Sequence, residues 1–300
     1  MNKKLLILGG GFGLYGYLPA ACESGFEVFT LTRYKPKIQK RKELKKYRDC
    51  INFVFEDNID VNYFGIIVLA RTPIQQQEFI TTNNNYSGHY CLEKPLGFNS
   101  EATYSILQAI QTHSINFSIA YLFRYQEWYK HLILNSTGAF VVEINWVVKR
   151  NFKNSWKLFD SNGGGLLSYF GIHLLSLLVD LKVSPDSIDF RLKRDKLVIY
   201  ASQGIFLLTI SYGNHNQFQV KLKSHKESFS WASDSPFGTN PRSGLPDPRI
   251  PSLVHYLREA VGEPSSTHQI NHELRILEFR RKFEEQFKPI YVKEKEWNEI

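Results

Sequence analysis

The sequence predicts an α/β chain of two domains: a doubly wound parallel sheet, followed by an α+β domain with an open mixed or antiparallel sheet. Three observations predict it. The 300 residues are too many for one small core and suit two. Over the first 120 residues short apolar runs alternate with helix-length polar stretches, the pattern of βαβ units around a parallel sheet. Beyond them, stretches with the alternation of strands follow one another directly.

In chain order, the apolar runs Lys4–Leu8, Glu27–Thr32, Ile51–Phe55, Ile66–Ala70, His89–Leu92 and Asn116–Tyr121 are expected as six strands separated by helices. A strand at Phe140–Lys149 opens the second domain, and a glycine-rich turn then leads into the apolar helix Leu166–Leu181. Strands follow at Ser187–Leu192, Lys196–Ala201, Ile205–Tyr212 and Gln217–Ser224. Residues 233–251 hold five of the twelve prolines without helical or strand period, so they are expected as a long loop. Helices near Ser252–Val261 and Asn271–Phe287 close the chain, and no internal repeat is found. The expected division is 1–121 and 122–300, with the last helix, 271–287, packing back on the N-terminal domain.

Composition excludes several classes. With 43% hydrophobic and 22% charged residues and a mean hydropathy of -0.30, the chain reads as neither disordered nor a membrane bundle. Cys22, Cys50 and Cys91 are odd in number and lack CxxC or His-flanked spacing, so neither a disulfide framework nor a metal site is expected, and a cytoplasmic protein is. Lys3-Lys4, the apolar run after them and Pro19-Ala20-Ala21-Cys22 imitate a lipoprotein signal peptide. Pro19 and the five glycines between residues 9 and 16 oppose that reading.

The run Leu5-Leu6-Ile7-Leu8 ends directly in GGGFGLYG and continues into an amphipathic helix. A turn between strand and helix lets backbone N–H groups face a pyrophosphate, with glycine where a Cβ would block the approach. This is the sequence context of a Rossmann dinucleotide site. Two registers fit: Gly9-x-Gly11-x-x-Leu14, preferred because its first glycine follows the strand at once, and Gly11-x-Gly13-x-x-Gly16. Gly9, Gly11, Phe12, Gly13 and Leu14 are therefore expected to bind the cofactor. The second strand ends Thr30-Leu31-Thr32-Arg33, without the acid that bonds the adenosine ribose in NAD enzymes. Thr32 can hydrogen-bond there and Arg33 can pair with a 2′-phosphate, so NADP(H) is expected in preference to NAD(H).

At Cys91-Leu92-Glu93-Lys94-Pro95-Leu96-Gly97 the chain resembles the glucose–fructose oxidoreductase, inositol dehydrogenase and rhizopine-catabolism (Gfo/Idh/MocA) family. Leu18-Pro19-Ala20, Thr72-Pro73, Arg124, Trp156, the run from Gly163-Gly164-Gly165 to Gly171-Ile172-His173, and Glu273-Leu274-Arg275 extend the resemblance along nearly the whole chain. It implies a Rossmann domain, a C-terminal α/β domain with an open sheet, and hydride transfer between a nicotinamide and a carbon bearing hydroxyl or carbonyl. It also implies that Ala70, Thr72, Pro73, Glu93 and Lys94 line the cofactor site. Lys94 would leave the carboxyl edge of the sheet and stabilise alkoxide charge on the substrate oxygen. His173 is the implied catalytic or substrate-contacting group. Four residues before it, where similar enzymes carry Asp, stands Tyr169, and a further typical Asp is Ser176. Tyr169 or His173 is then the expected proton donor of an enzyme working mainly as a reductase. Arg124, Trp128, Trp156, Lys157 and Asn162 are candidate substrate contacts, consistent with a sugar or nucleotide sugar.

The leading expectation is an NADP(H)-dependent oxidoreductase of a sugar, sugar nucleotide or related small molecule. Two alternatives stand: a reductase of a non-sugar double bond, similar to biliverdin reductase, and a non-catalytic nucleotide-binding sensor or partner protein. A homo-dimer or tetramer is expected; nucleic acid and membrane are not. Of the formal +8, +7 lies in residues 35–48, which hold eight Lys/Arg and one Glu directly after Thr32-Arg33. The charge is therefore expected to flank the adenosine end of the cofactor site rather than to bind a polyanion.

Overall fold

The computed structural model describes residues 3–136, 140–149, 157, 162–193, 195–202, 205–225, 227–238, 245–262 and 266–297; the side chains of Asn58, Ile205, Ser266 and residues 288–297 are left aside. The chain forms two compact units: 1–97 with 104–122 and 240–270, and 98–103 with 123–239 and 271–300. The units interleave along the chain, whereas the sequence reading divides it once, after residue 121. Residues 240–270 group with the first unit and 271–300 with the second.

The first unit is built on a six-stranded parallel sheet: β1 (Lys4–Leu8), β2 (Glu27–Leu31), β3 (Ile51–Val54), β4 (Ile66–Leu69), β5 (His89–Leu92) and β6 (Asn116–Ile119). Their order is β3-β2-β1-β4-β5-β6, all parallel, as the alternation of apolar runs and helices predicts. Leu5 to Leu8 and Ile66 to Leu69 are almost wholly buried, as expected for central strands covered on both faces. The helices of this unit include α1 (Leu18–Glu23), α2 (Lys35–Lys40), α3 (Pro73–Thr82), most of α4 (Ser100–Thr112) and, returning from far along the chain, α7 (Ile250–Gly262) against α1. Because the order reverses between β1 and β4, a crevice opens at their carboxyl ends.

The second unit carries a mixed sheet of β7 (Phe140–Lys149), β8 (Ile188–Lys193), β9 (Lys196–Ala201), β10 (Ile205–Gly213), β11 (Gln217–Ser224) and β12 (Ser228–Ser233). Its order is β12-β11-β7-β10-β9-β8, and the β7–β10 pair is parallel among antiparallel neighbours. β12, which the sequence reading did not single out, ends at Ser233, where the stretch read as loop begins. Val142, Ile144, Trp146 and Val148 point to one face and are buried, while Glu143, Asn145 and Lys149 between them are exposed, the period-two signature of a sheet covered on one side. The covering segment is the expected apolar helix, but it begins as a π-helical run, Gly165–Gly171, before α6 (Ile172–Asp180). Phe170 packs edge-on against Trp146 with centroids 5.4 Å apart. The helix α5 (Glu127–Asn135) and the last helix, α8 (Ser266–Trp297), complete the elements.

α8 is tied into the second unit by Arg280, whose side chain is buried. Its guanidinium donates to Thr103 Oγ1 at 3.1 Å, to the Phe98 carbonyl at 2.9 Å and to Ser168 Oγ at 3.4 Å. One turn on, Glu284 accepts the Ser100 backbone N–H at 3.1 and 3.2 Å, satisfying a donor at the start of α4. Removing a buried charge's partner, or the charge itself, leaves groups that water cannot reach. Arg280→Ala should therefore lower the unfolding free energy by about 3 kcal/mol, whereas Arg275→Ala, in an exposed pair with Glu278, should change it by less than about 0.5 kcal/mol. Urea denaturation of the two variants checks the contrast.

Candidate functional site

The cofactor-binding residues expected from the sequence all fall in the first unit, at the carboxyl ends of β1, β2, β4 and β5. At the end of β1, Gly9 is buried and a Cβ there would lie 2.2 Å from the Ala70 carbonyl oxygen, so only glycine fits. Gly13, at the start of a π-helical turn (Gly13–Tyr17) that leads into α1, has room for a Cβ only at 3.2 Å from Ala70 Cβ and Ile7 Cγ2. Gly11 between them is exposed, and a Cβ there would meet nothing within 4 Å. Two glycines thus serve close packing, while the third faces open space at the head of a helix. This geometry fits the pyrophosphate of a dinucleotide and agrees with the register that begins at Gly9. The Leu14 N–H donates to the Gly11 carbonyl at 3.0 Å, fixing the turn. Phe12 is itself half-buried, in ring contact with Tyr15 and Tyr17, and the Arg249 guanidinium lies 3.8 Å from the Phe12 centroid. Arg249 is itself held by two bonds to the buried Asp247, at 2.8 and 2.7 Å. The end of the proline-rich segment therefore lies over the glycine turn, a placement that the sequence left open.

After β2, Thr32 spends its hydroxyl proton on the Val54 carbonyl at 3.1 Å. Arg33 pairs with Glu56 at 2.5 Å, and Glu56 also binds Arg71 at 2.9 Å. Tyr34 lies against Gly10, and the Lys37 ammonium donates to the Gly10 carbonyl. After β4, Thr72 caps α3 in a capping box with Gln75, and Pro73 takes the first helical position, where its missing N–H costs nothing.

After β5 comes Glu93-Lys94-Pro95. Its anchor is Gln76, fully buried on α3, which no motif singles out. Gln76 Oε1 accepts the Glu93 N–H at 2.9 Å, and Nε2 donates to the Glu93 carbonyl at 3.0 Å and the Pro95 carbonyl at 3.3 Å. The Glu93 carboxylate accepts the Tyr17 hydroxyl at 2.8 Å. Burial and the adjacent carboxylate hold the Tyr17 phenol well above its ordinary pKa, so it stays a proton donor. Lys94 is half-buried at the end of this fixed turn. His89, at the start of β5, begins a buried polar chain: it contacts Ser118 Oγ at 2.9 Å, and Ser118 donates to the Tyr256 hydroxyl at 2.9 Å. Burial pulls His89 down to about 4, so it is neutral there at physiological pH.

The remaining candidates lie in the second unit. His173, on α6, is buried and stacks on Phe123, with centroids 4.3 Å apart and planes 14° from parallel. Tyr169 is half-buried in the π-helical run, edge-on to Phe170 at 4.8 Å, with the Lys157 ammonium 5.0 Å from its ring centre. Asn162 is half-buried; Trp156 lies outside the described residues. Trp128 is a correction: only 1% exposed, it donates Nε1–H to the Pro236 carbonyl at 2.9 Å and packs on Phe123 and Phe218. An aromatic on an apolar helix face reads alike as lining or core, and burial places this one in the core.

Arg124 reaches Asp180 through two bonds, at 2.9 and 2.8 Å, and Tyr129 donates its hydroxyl to the same carboxylate. His272 Nε2 stands 3.3 Å from Asp180, and its Nδ1 3.6 Å from Glu273. Ser176, where the resemblance leads one to expect Asp, faces His272 Nε2 at 3.5 Å. Burial alone would raise the Asp180 pKa, but the His272 hydrogen bond and the Arg124 charge outweigh it and bring it from 3.8 to about 2. Burial would lower His272, and its bonds to Asp180 and Glu273 outweigh that, raising it above 6.5.

Neither a protein-family model nor a curated protein matches the chain. Solved structures do. GenD2 from gentamicin A biosynthesis, in complex with NAD, is 16% identical at a TM-score of 0.67, over 93% of this chain and 92% of that one. A myo-inositol dehydrogenase from Corynebacterium glutamicum is 12% identical at 0.69, over 93% and 94%. KijD10, a 3-ketoreductase from Actinomadura kijaniata with NADP and TDP-benzene, is 10% identical at 0.64, over 91% and 94%. The chain shares their fold. The two-domain architecture implied by the sequence resemblance is therefore the observed one.

The raised His272 pKa and the lowered Asp180 pKa have opposite pH signatures. The His272 contribution is complete below about pH 6.5 and is lost as pH rises through its folded pKa; that of Asp180 is complete above about pH 4 and is lost as pH falls through about 2. The stability advantage of the wild type over His272→Gln should accordingly shrink as pH rises from 6 to 9. A free-energy difference that stays flat across that range, in denaturant titrations, would contradict the assignment.

Proposed function

We propose that this chain is a nicotinamide-dependent oxidoreductase of a sugar, sugar nucleotide or related small carbonyl compound, using NADP(H) in preference to NAD(H) and working mainly as a reductase. The observation that carries the reading is the glycine turn at the β1/β4 crevice, closed against Ala70 at Gly9 and open at Gly11. The preference for NADP(H) is supported by Arg33 at the end of β2, where an NAD site would place an acid. GenD2 with NAD and KijD10 with NADP show that this fold accommodates either cofactor. The substrate class is supported by the 3-ketoreductase and the myo-inositol dehydrogenase among the similar structures.

When bound, the nicotinamide would exchange a hydride with the substrate carbon. The chain's own part falls first to Lys94, which would hydrogen-bond the substrate oxygen and stabilise the alkoxide that develops on it. Gln76 and Tyr17 hold the turn that carries this lysine, so reorganisation during the reaction is small. Tyr169 or His173 would supply the proton, and Asn162 and Trp156 would contact substrate, on the strength of the sequence resemblance. Arg124 is better assigned to positioning, since its guanidinium is bound to Asp180 at two points.

Self-association as a dimer or tetramer is supported by the outer face of the second sheet, where Leu207 and Tyr200 are paired across strands at 42% and 38% exposure. Sedimentation of the wild type as a monomer would remove that part. The odd count of thiols supports a cytoplasmic location. Among the described residues no helix is long and apolar enough to cross a membrane.

Titration followed by tryptophan fluorescence is expected to show tighter binding of NADPH than NADH, with a margin that narrows as salt rises. Lys94→Met should retain cofactor affinity while lowering kcat by about 100-fold or more on any carbonyl substrate the wild type reduces. Full turnover by both Tyr169→Phe and His173→Ala would remove them as proton donors.

A further inference from the structure

We propose that Glu56 tempers the preference for NADP(H) that Arg33 gives, by competing with a 2′-phosphate for Arg33. The inference rests on the reading of the first unit as a nicotinamide dinucleotide site. Its basis is a three-membered charge cluster at the carboxyl ends of β2, β3 and β4. Glu56 Oε2 lies 2.5 Å from Arg33, and Oε1 lies 2.9 Å from Arg71. The two arginines are not equivalent. Arg71 is 17% exposed, with its guanidinium 5.6 Å from the Phe79 ring centre. Arg33 is 53% exposed, and its other described contact is the neighbouring Tyr34 hydroxyl at 3.2 Å. Arg71 is therefore the anchored partner and Arg33 the one presented to solvent beside the end of β2, where a Rossmann domain receives the adenosine ribose.

Charge decides the consequence. Two guanidinium groups and one carboxylate sum to +1, and a 2′-phosphate brings about -1.5 to -2. That phosphate must either share Arg33 with a carboxylate or displace it. Displacement is possible because each carboxylate oxygen has its own arginine, so Glu56 can surrender Arg33 and keep Arg71. A cleft of about 360 Å³ lined by Glu56, Arg71, Gln75, Glu78 and Phe79, among others, but not by Arg33, gives the Glu56 carboxylate room to swing away from Arg33 while it keeps Arg71. NADH carries no 2′-phosphate and leaves the Arg33–Glu56 pair intact. Glu56 thus weakens NADP(H) selectively, and the chain reaches both cofactors from a site that carries no acid at the end of β2.

Calorimetric titration of the full chain with NADPH, NADH, adenosine 2′,5′-bisphosphate and 5′-AMP tests this. Glu56→Gln should tighten NADPH and the bisphosphate about five- to tenfold, and leave NADH and 5′-AMP within about twofold. Glu56→Asp, which keeps the charge, should leave the NADPH-to-NADH ratio within about twofold of the wild type. The gain should vanish in the Arg33→Ala background. If the wild type binds both cofactors and Glu56→Gln leaves their ratio unchanged, or if the gain survives Arg33→Ala, the role of Glu56 falls and the dinucleotide reading stands. If the wild type binds neither cofactor, both fall together.

Discussion

The contact between Gly9 and Ala70 is the constraint on which the rest of the first unit depends. β1 and β4 run in parallel register from Leu5 and Ile66 to Leu8 and Leu69, and the Ala70 N–H extends the pairing with a 2.9 Å bond to the Leu8 carbonyl. The two chains therefore leave the sheet side by side. A Cβ on Gly9 would stand 2.2 Å from the Ala70 oxygen, and one on Gly13 would stand 3.2 Å from Ala70 Cβ. Any residue larger than alanine at position 70 would close the same gap from the other side. With both positions small, the helix that follows the turn starts directly over the strand ends, with its N–H groups toward the crevice. The strand order then fixes what can lie beside it: β2 and β3 on one side, β4 and β5 on the other.

The β4–α3 connection carries that constraint across the crevice. Within seven residues, Ala70 backs the glycine turn, Arg71 holds Glu56, Thr72 caps the helix and Gln76 clamps the turn around Lys94. The Arg33–Glu56–Arg71 charge cluster and the lysine-bearing turn are thus positioned from a single crossover. The capping box contributes on the order of 1 kcal/mol to α3, and α3 in turn presents Gln76 with both ends of its amide engaged. A buried amide in that position is satisfied only when residues 93–95 take this path, so the glutamine specifies the turn as well as stabilising it.

Strands and glycines were legible because their signals are local. An apolar run flanked by polar helical segments reads as a buried parallel strand, and the edges of all six first-unit runs shift by two residues or fewer; the largest shift is at β6, which ends at Ile119, with Leu122–Tyr125 forming a short helical turn. Pairings between distant residues were not legible. Arg33 as a sequence neighbour of β2 looks available for phosphate; the structure gives it Glu56, 23 positions on, because β2 and β3 are adjacent in the sheet. Trp128, read as substrate lining, is buried against Phe218, and the pairing of Arg124 with Asp180, 56 positions on, has no local signature. The return of residues 240–270 to the first unit has no local signature either, since an amphipathic helix such as α7 fits any apolar surface of matching width.

The basic stretch 35–48 follows the same distinction between composition and position. Its +7 suggests an anion-binding surface, but the segment forms the six-residue α2 and then a 3-10 stretch, Lys42–Cys50, both too short to satisfy their own carbonyls. Four of its eight cations serve that shortfall or neighbours: Lys37 the Gly10 carbonyl, Arg48 the carbonyls of Gln39 and Arg41, Arg41 the Glu43 carboxylate and Lys46 that of Glu23. The Arg41 guanidinium also lies 5.1 Å from the Tyr15 ring centre, and Lys35 stands 5.4 Å from that of Phe53. A lysine-rich run thus serves as the fastening of an irregular connection to the glycine turn. The net charge it leaves near the end of β2 acts at long range, where salt screens it, whereas the Arg33–Glu56 pair acts at short range.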